Sequence, residues 1–147
     1  MTKNLQILLL TPKKISMTKI FLDTNILIDI LVQRNRADKI IEILKELEPV
    51  VMYISANSVT DSCYILRKNF TVAELQKLFE SFEIIDTTKL DCEFGMRLAL
   101  RPDDIEDLIQ INCCNRNRLD IFLTADKVLV DTYSNFFDPK VKVVVIE

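Results

Sequence analysis

Short apolar runs punctuate the chain at KIFLD (19–23), VVMYIS (50–55), EIID (83–86), DIFLT (120–124) and VKVVVIE (141–147). Rich in Val, Ile and Phe, they predict four or five β-strands. The segments between them carry apolar residues at helical spacing. Thr24 to about Val32 opens on a Thr or Asn cap and is apolar almost all round, which predicts a helix packed near the centre of a sheet. RADKIIEILKELE places Ile40, Ile41, Leu44 and Leu47 on one face, and NSVTDSCYILRKN does the same with Val59, Cys63 and Leu66. TVAELQKLFESF begins with Thr71 and Glu74 at the spacing of a capping box. TKLDCEFGMRLAL and RPDDIEDLIQINCCN predict two more helices, the second started by Pro102 and Asp103 and burying Ile105, Leu108, Ile109 and Cys113.

Strands that alternate with helices predict an α/β fold, a three-layer α/β/α arrangement around a parallel sheet of four to five strands. Ligand crevices in such sheets open at the carboxyl ends of the strands. Asp23 stands at such an end, directly after Ile20-Phe21-Leu22 and separated only by Thr24 and Asn25 from the apolar run that starts at Ile26. A carboxylate placed there is costly unless something pairs with it. Asp126, two residues after IFLT, occupies the equivalent end of the fourth strand, Asp61 lies on the helix after the second, and Asp104 and Asp107 lie at the start of the helix near Pro102.

Four acids brought to one sheet edge repel one another, and a divalent cation resolves the conflict. The chain has no histidine, so the donors are oxygens, which specify Mg²⁺ or Mn²⁺. Such an ion activates water and offsets the charge that develops on a phosphodiester under in-line attack. Taken singly, each acid has a plainer reading. Asp126 suits a helix cap, Asp61 a solvent-facing charge, and Asp104 a helix-start acid favoured by the helix dipole.

Composition narrows the field further. The 147 residues suffice for one domain with a proper core, and nearly half of them are apolar. The net charge of −3 argues against coating nucleic acid by bulk basicity, although Arg34, Arg36, Arg67, Lys68, Arg116 and Arg118 fall in loops that could meet phosphates. Without histidine, the Ser-His-Asp and Cys-His nucleophile systems are excluded. Cys63, Cys92, Cys113 and Cys114 fit neither a disulfide framework nor a zinc site, and point to reduced thiols in a cytoplasmic protein. No segment has the length of a membrane span. MTK recurs at residues 1 and 17, so residues 1–16 are expected to be an N-terminal extension or a start-site artefact, with the domain proper over 17–147.

FLDTNILIDIL, ISANSVTDSCYILRK, RPDDIEDLIQINCC and LDIFLTADK resemble, in order and spacing, the four motif blocks of PIN domains, a family of metal-dependent ribonucleases that includes many bacterial toxins of the VapC type. The likeness runs from about Lys19 to the C-terminus. It implies that Asp23 is the first metal ligand, oriented by Thr24 or Asn25, that Asp61, Asp107 and Asp126 are the other acids, and that Thr124 is the hydroxyl residue beside the last; Asp104 is a supporting residue. It further implies single-stranded RNA as substrate, a homodimer, and inhibition by an antitoxin protein whose tail enters the acidic groove. The chain departs from the pattern at Asp61, where the family usually has glutamate. That leaves open a degenerate PIN module that binds RNA or a protein without cutting. A phosphatase with Asp23 as nucleophile is a further alternative, although Asn25 stands where such enzymes have a second aspartate.

Overall fold

The computed structural model describes residues 16–34 and 36–147. The expected extension over residues 1–16 therefore lies almost wholly outside the described residues. Among the described residues, five strands form one parallel sheet: β1 (Thr18–Leu22), β2 (Val50–Ser55), β3 (Glu83–Ile85), β4 (Ile121–Thr124) and β5 (Lys142–Val145), in the order β3-β2-β1-β4-β5. All five coincide with predicted runs. Each side chain of a strand points to the face opposite its neighbours'. Phe21 and Phe122 therefore stack on one face, with ring centroids 5.4 Å apart, while Ile20, Leu22, Ile54, Ile121 and Leu123 line the other.

Helices cover both faces. The Ile20 face packs under α1 (Thr24–Leu31), α2 (Ala37–Glu46), α3 (Ala56–Leu66) and α4 (Val72–Phe79), and the Phe21 face under α5 (Lys89–Leu98), α6 (Ile105–Arg116) and α7 (Lys127–Tyr133). Six of the seven follow the apolar spacing; α7 does not, because it is short and half its residues face solvent. Ile41, expected on the buried face of α2, is exposed there, and Ile40 alone of the pair is buried. The cap of α1 is Asp23, not Thr24 or Asn25: its Oδ1 accepts the Thr24 backbone N–H at 2.7 Å. Among the described residues no helix is long and apolar enough to cross a membrane.

Chain order reverses at β1, whose neighbours β2 and β4 lead outward in opposite directions. The chain consequently leaves β1 and β4 toward opposite faces of the sheet, and a crevice opens at the carboxyl end of β1. Asp23 begins one loop, and its backbone N–H still donates to the Leu123 carbonyl of β4 at 3.0 Å.

The chain's one glycine positions α6, which carries Glu106 and Asp107. Gly95 sits in the middle of α5, and a β-carbon there would lie 2.7 Å from the Ile105 carbonyl oxygen and 3.0 Å from Ile109 Cγ1. Gly95→Ala gains about 1 kcal/mol of helix propensity, but must push the start of α6 outward. It is expected to destabilise the fold by about 1–3 kcal/mol, and a denaturant titration checks this. A gain in stability would show that α5 and α6 are free to separate.

Candidate active site

The crevice is an open cleft of about 560 Å³ lined by Asp23, Thr24 and Asn25 from β1–α1, Asp61 and Tyr64 from α3, and Glu106, Asp107 and Gln110 from α6. Asp23 is at its floor, 4% exposed. Besides the Thr24 amide on Oδ1, its Oδ2 accepts the Thr124 hydroxyl at 2.7 Å. Burial raises the pKa of Asp23; the bonds from Thr124 and Thr24 oppose that shift and Asp126 reinforces it. The orientation expected of Thr24 or Asn25 thus comes from the Thr24 backbone and from Thr124. Asn25 is exposed at the cleft wall.

Asp107 is pushed up to about 7 by burial and then by the charges of Asp23, Asp126 and Asp104. Glu106, one residue earlier, rises to about 8, first through its hydrogen-bonding contact with Asp61 and then through burial and the surrounding acids. Sequence reasoning passed over Glu106. Helical geometry explains the omission, since adjacent residues point about 100° apart; here both Glu106 and Asp107 line the cleft. Glu106 also supplies, from another helix, a carboxyl beside Asp61, where the chain is one methylene short of the glutamate expected.

Asp126 holds two relations at once. Its Oδ1 caps α7 by accepting the Leu129 N–H at 2.9 Å, and its charge raises both Asp23 and Asp107. Thr124 links it to the floor, accepting the Asp126 N–H at 3.1 Å while donating to Asp23. The cap reading of Asp126 is thus observed, and Asp126 is not among the residues lining the cleft, which it reaches through its charge. Asp104 has a different setting: its carboxylate accepts the Tyr133 hydroxyl and the Arg101 guanidinium, and these bonds hold its pKa down. It anchors the start of α6 to α7 and reaches the cleft through its field on Asp107.

A chain of buried hydroxyls lies under the floor. Ser55 bonds Ser58 at 3.1 Å, Ser58 bonds the Thr24 hydroxyl at 2.8 Å, and Gln110 Nε2 donates to that hydroxyl at 3.2 Å. This network fixes α1, α3 and α6 against one another directly behind Asp23. Its only signal in the sequence is polar residues on helix faces that are otherwise apolar.

The cations sort into two groups. Arg34 and Arg36 both pair with the buried Asp29, at 3.1 and 2.9 Å, and Arg116 pairs with the buried Asp91 at 2.9 Å. Arg116, together with the Thr88 amide, Cys113 and Asn112, overcomes the effect of burial and holds Asp91 at about 2. Those three arginines serve the fold, and Arg118 precedes β4 at the opposite end of the sheet from the cleft. Arg67, at the end of α3, lies over the ring of Tyr64, which lines the cleft, and Lys68 follows it in the chain. All four cysteines are free, and burial raises the Cys113 and Cys114 thiols to about 12, which makes them poor nucleophiles.

Among the described residues no group of three or more His, Cys, Asp or Glu side chains is already arranged to hold a metal ion. The donor set nevertheless fits a hard cation. Glu106 Oε1 and Gln110 Oε1 are buried without a hydrogen-bond partner, and the carboxyls of Asp107 (through burial, then neighbouring acids) and Glu106 (through Asp61, then burial) are raised far above the usual carboxylate range. A Mg²⁺ or Mn²⁺ ion takes such oxygens and completes its shell with water.

An open parallel sheet with a cleft lined by oxygen donors at its switch point defines an α/β domain with an acidic site at the strand ends. The chain belongs to the PIN domain family, whose model matches residues 20–135; PIN domains are in general nucleases. Among solved structures, the fold resembles a toxin-antitoxin complex from Klebsiella pneumoniae, with a TM-score of 0.63 and 21% identity over 86% of this chain and 99% of that one. It also resembles VapBC2 from Rickettsia felis bound to a DNA fragment from their promoter, with a TM-score of 0.59 and 16% identity over 88% of this chain and 100% of that one. No curated protein matches the chain.

Proposed function

We propose that the protein is a Mg²⁺- or Mn²⁺-dependent endoribonuclease that cuts single-stranded RNA, and that it is the toxin of a toxin-antitoxin pair. The observation that carries the reading is the convergence of Asp23, Asp61, Glu106 and Asp107 on one cleft at the strand ends, with the charge of Asp126 felt by two of them. Asp23, Asp107 and Asp126 would hold the ion, with Asp61 and Glu106 completing its surroundings. When bound, that ion supplies a Lewis acid that lowers the pKa of water and neutralises charge on a phosphodiester.

The chain's own groups do the remaining work. Thr124 and the Thr24 amide fix both oxygens of Asp23, so that carboxylate is oriented before any ligand arrives. Both structural relatives are toxin-antitoxin assemblies, which supports an antitoxin as partner. A homodimer and a cytoplasmic location complete the proposal.

The test is cleavage of mixed single-stranded RNA by the purified protein with Mn²⁺, Mg²⁺ or EDTA, with Asp107→Asn alongside. Metal-dependent cleavage that Asp107→Asn reduces at least a hundredfold is the expected result. Full cleavage in EDTA would refute the metal assignment, and no cleavage under any condition would favour a module that binds without cutting.

A further inference from the structure

Tyr64 is 66% exposed although it lines the acidic cleft, and Ile65 beside it is 50% exposed. The Arg67 guanidinium lies over the Tyr64 ring, 3.8 Å from its centroid, and donates a hydrogen bond to the Tyr64 carbonyl oxygen. Unlike Arg34, Arg36, Arg101 and Arg116, it has no carboxylate partner among the described residues. The ring is thus braced on one face and open on the other. It stands one turn after Asp61 on the same helix, beside the acids.

We propose that Tyr64 and Arg67 form a nucleotide subsite, in which an unstacked base of the substrate strand lies on the open face of Tyr64 and Arg67 meets the adjoining phosphate. The inference rests on the reading of this cleft as an RNA-cleaving centre. Aromatic rings accept any base through its π-face, whereas bases inside a duplex are already stacked and cannot reach one. The subsite would therefore select single strands without reading sequence. A phosphate approaching this cleft is repelled by its carboxylates, and a cation near their rim offsets that repulsion. Arg67 is placed for that task, with Lys68 next to it. Stacking the guanidinium on the ring also limits the motion of both side chains before the strand binds.

The experiment compares the full-length parent with Tyr64→Ala, Tyr64→Phe and Arg67→Ala, measuring cleavage kinetics with Mn²⁺ and, in an Asp23→Asn background, anisotropy of a short fluorescent single-stranded RNA. Tyr64→Ala is expected to raise KM and Kd about tenfold while kcat and the thermal midpoint stay near the parent's. Tyr64→Phe keeps the ring and should restore binding, and Arg67→Ala should weaken binding and reduce its salt slope by about one. Parent-like KM and Kd in Tyr64→Ala would overturn the subsite while leaving the ribonuclease reading intact, including where the same variant loses a protein partner instead. A parent protein that neither binds nor cuts RNA would overturn both.

Discussion

Asp23→Asn is expected to lower metal-dependent RNA cleavage by about 10²–10³-fold or more, since a bound ion contributes several kcal/mol of charge stabilisation to the reaction and each 1.36 kcal/mol is tenfold in rate. The same substitution should leave the metal-free fold as stable as the parent, or more so. Burial already drives Asp23 toward its neutral form, and the neutral amide keeps an oxygen for the Thr24 N–H while its NH₂ can donate to the Thr124 hydroxyl, whose hydrogen is free to rotate. Activity and stability therefore move in opposite directions, which separates a functional role from a structural one. Cleavage at the parent rate would remove Asp23 from the site, and a collapse of the thermal midpoint would make it a structural cap.

The second large effect is on pH dependence. Asp107 rises to about 7 and Glu106 to about 8 in the folded protein, well above the ordinary carboxylate values they have when unfolded. The native state therefore binds more protons than the unfolded chain between those limits, and stability must fall as pH rises across them. The contribution of the pair is fully present below about pH 4 and is lost as pH passes through the folded values of about 7 and 8. Metal-free protein should show a thermal midpoint that declines from mildly acidic to mildly alkaline pH. Millimolar Mn²⁺ should remove much of that decline, because the ion replaces the protons and its affinity grows as they leave. Thermal scans with and without Mn²⁺ across this range check the sign. A metal-free midpoint that is flat or climbs would mean that the acids of the cleft do not burden one another, and the case for a cation would weaken with it.

These effects originate in residues of unequal legibility. Asp23 was readable because a carboxylate between two apolar runs conflicts with its surroundings, and conflict of that kind shows in one dimension. The place of Asp107 in the cleft was readable from motif spacing, whereas Asp126 caps α7 and reaches the cleft through its charge. Glu106 was hidden by its neighbour: periodicity assigns one of two adjacent acids to a face, and only the tertiary structure shows both lining the cleft. The arginines misled in the opposite sense. Arg34, Arg36 and Arg116 have the sequence surroundings of a phosphate-binding rim, yet Asp29 and Asp91 hold them against the fold.

By itself, the amino-acid sequence determined the architecture. Alternating strands and helices of the right length allow little besides a parallel sheet with helices on both faces, because each apolar face must be covered. It also determined the chemistry available, since a chain without histidine and with acids at strand ends offers oxygen donors. Tertiary structure alone decided which charges remain free. An ion pair depends on distance through space, and Asp91 with Arg116, or Glu106 with Asp61, are separated in sequence by stretches whose path no local pattern encodes. The cleft owes its acidic character to that choice: the fold pairs Asp29 and Asp91 with arginines, and leaves the carboxylates that line the opening without such partners.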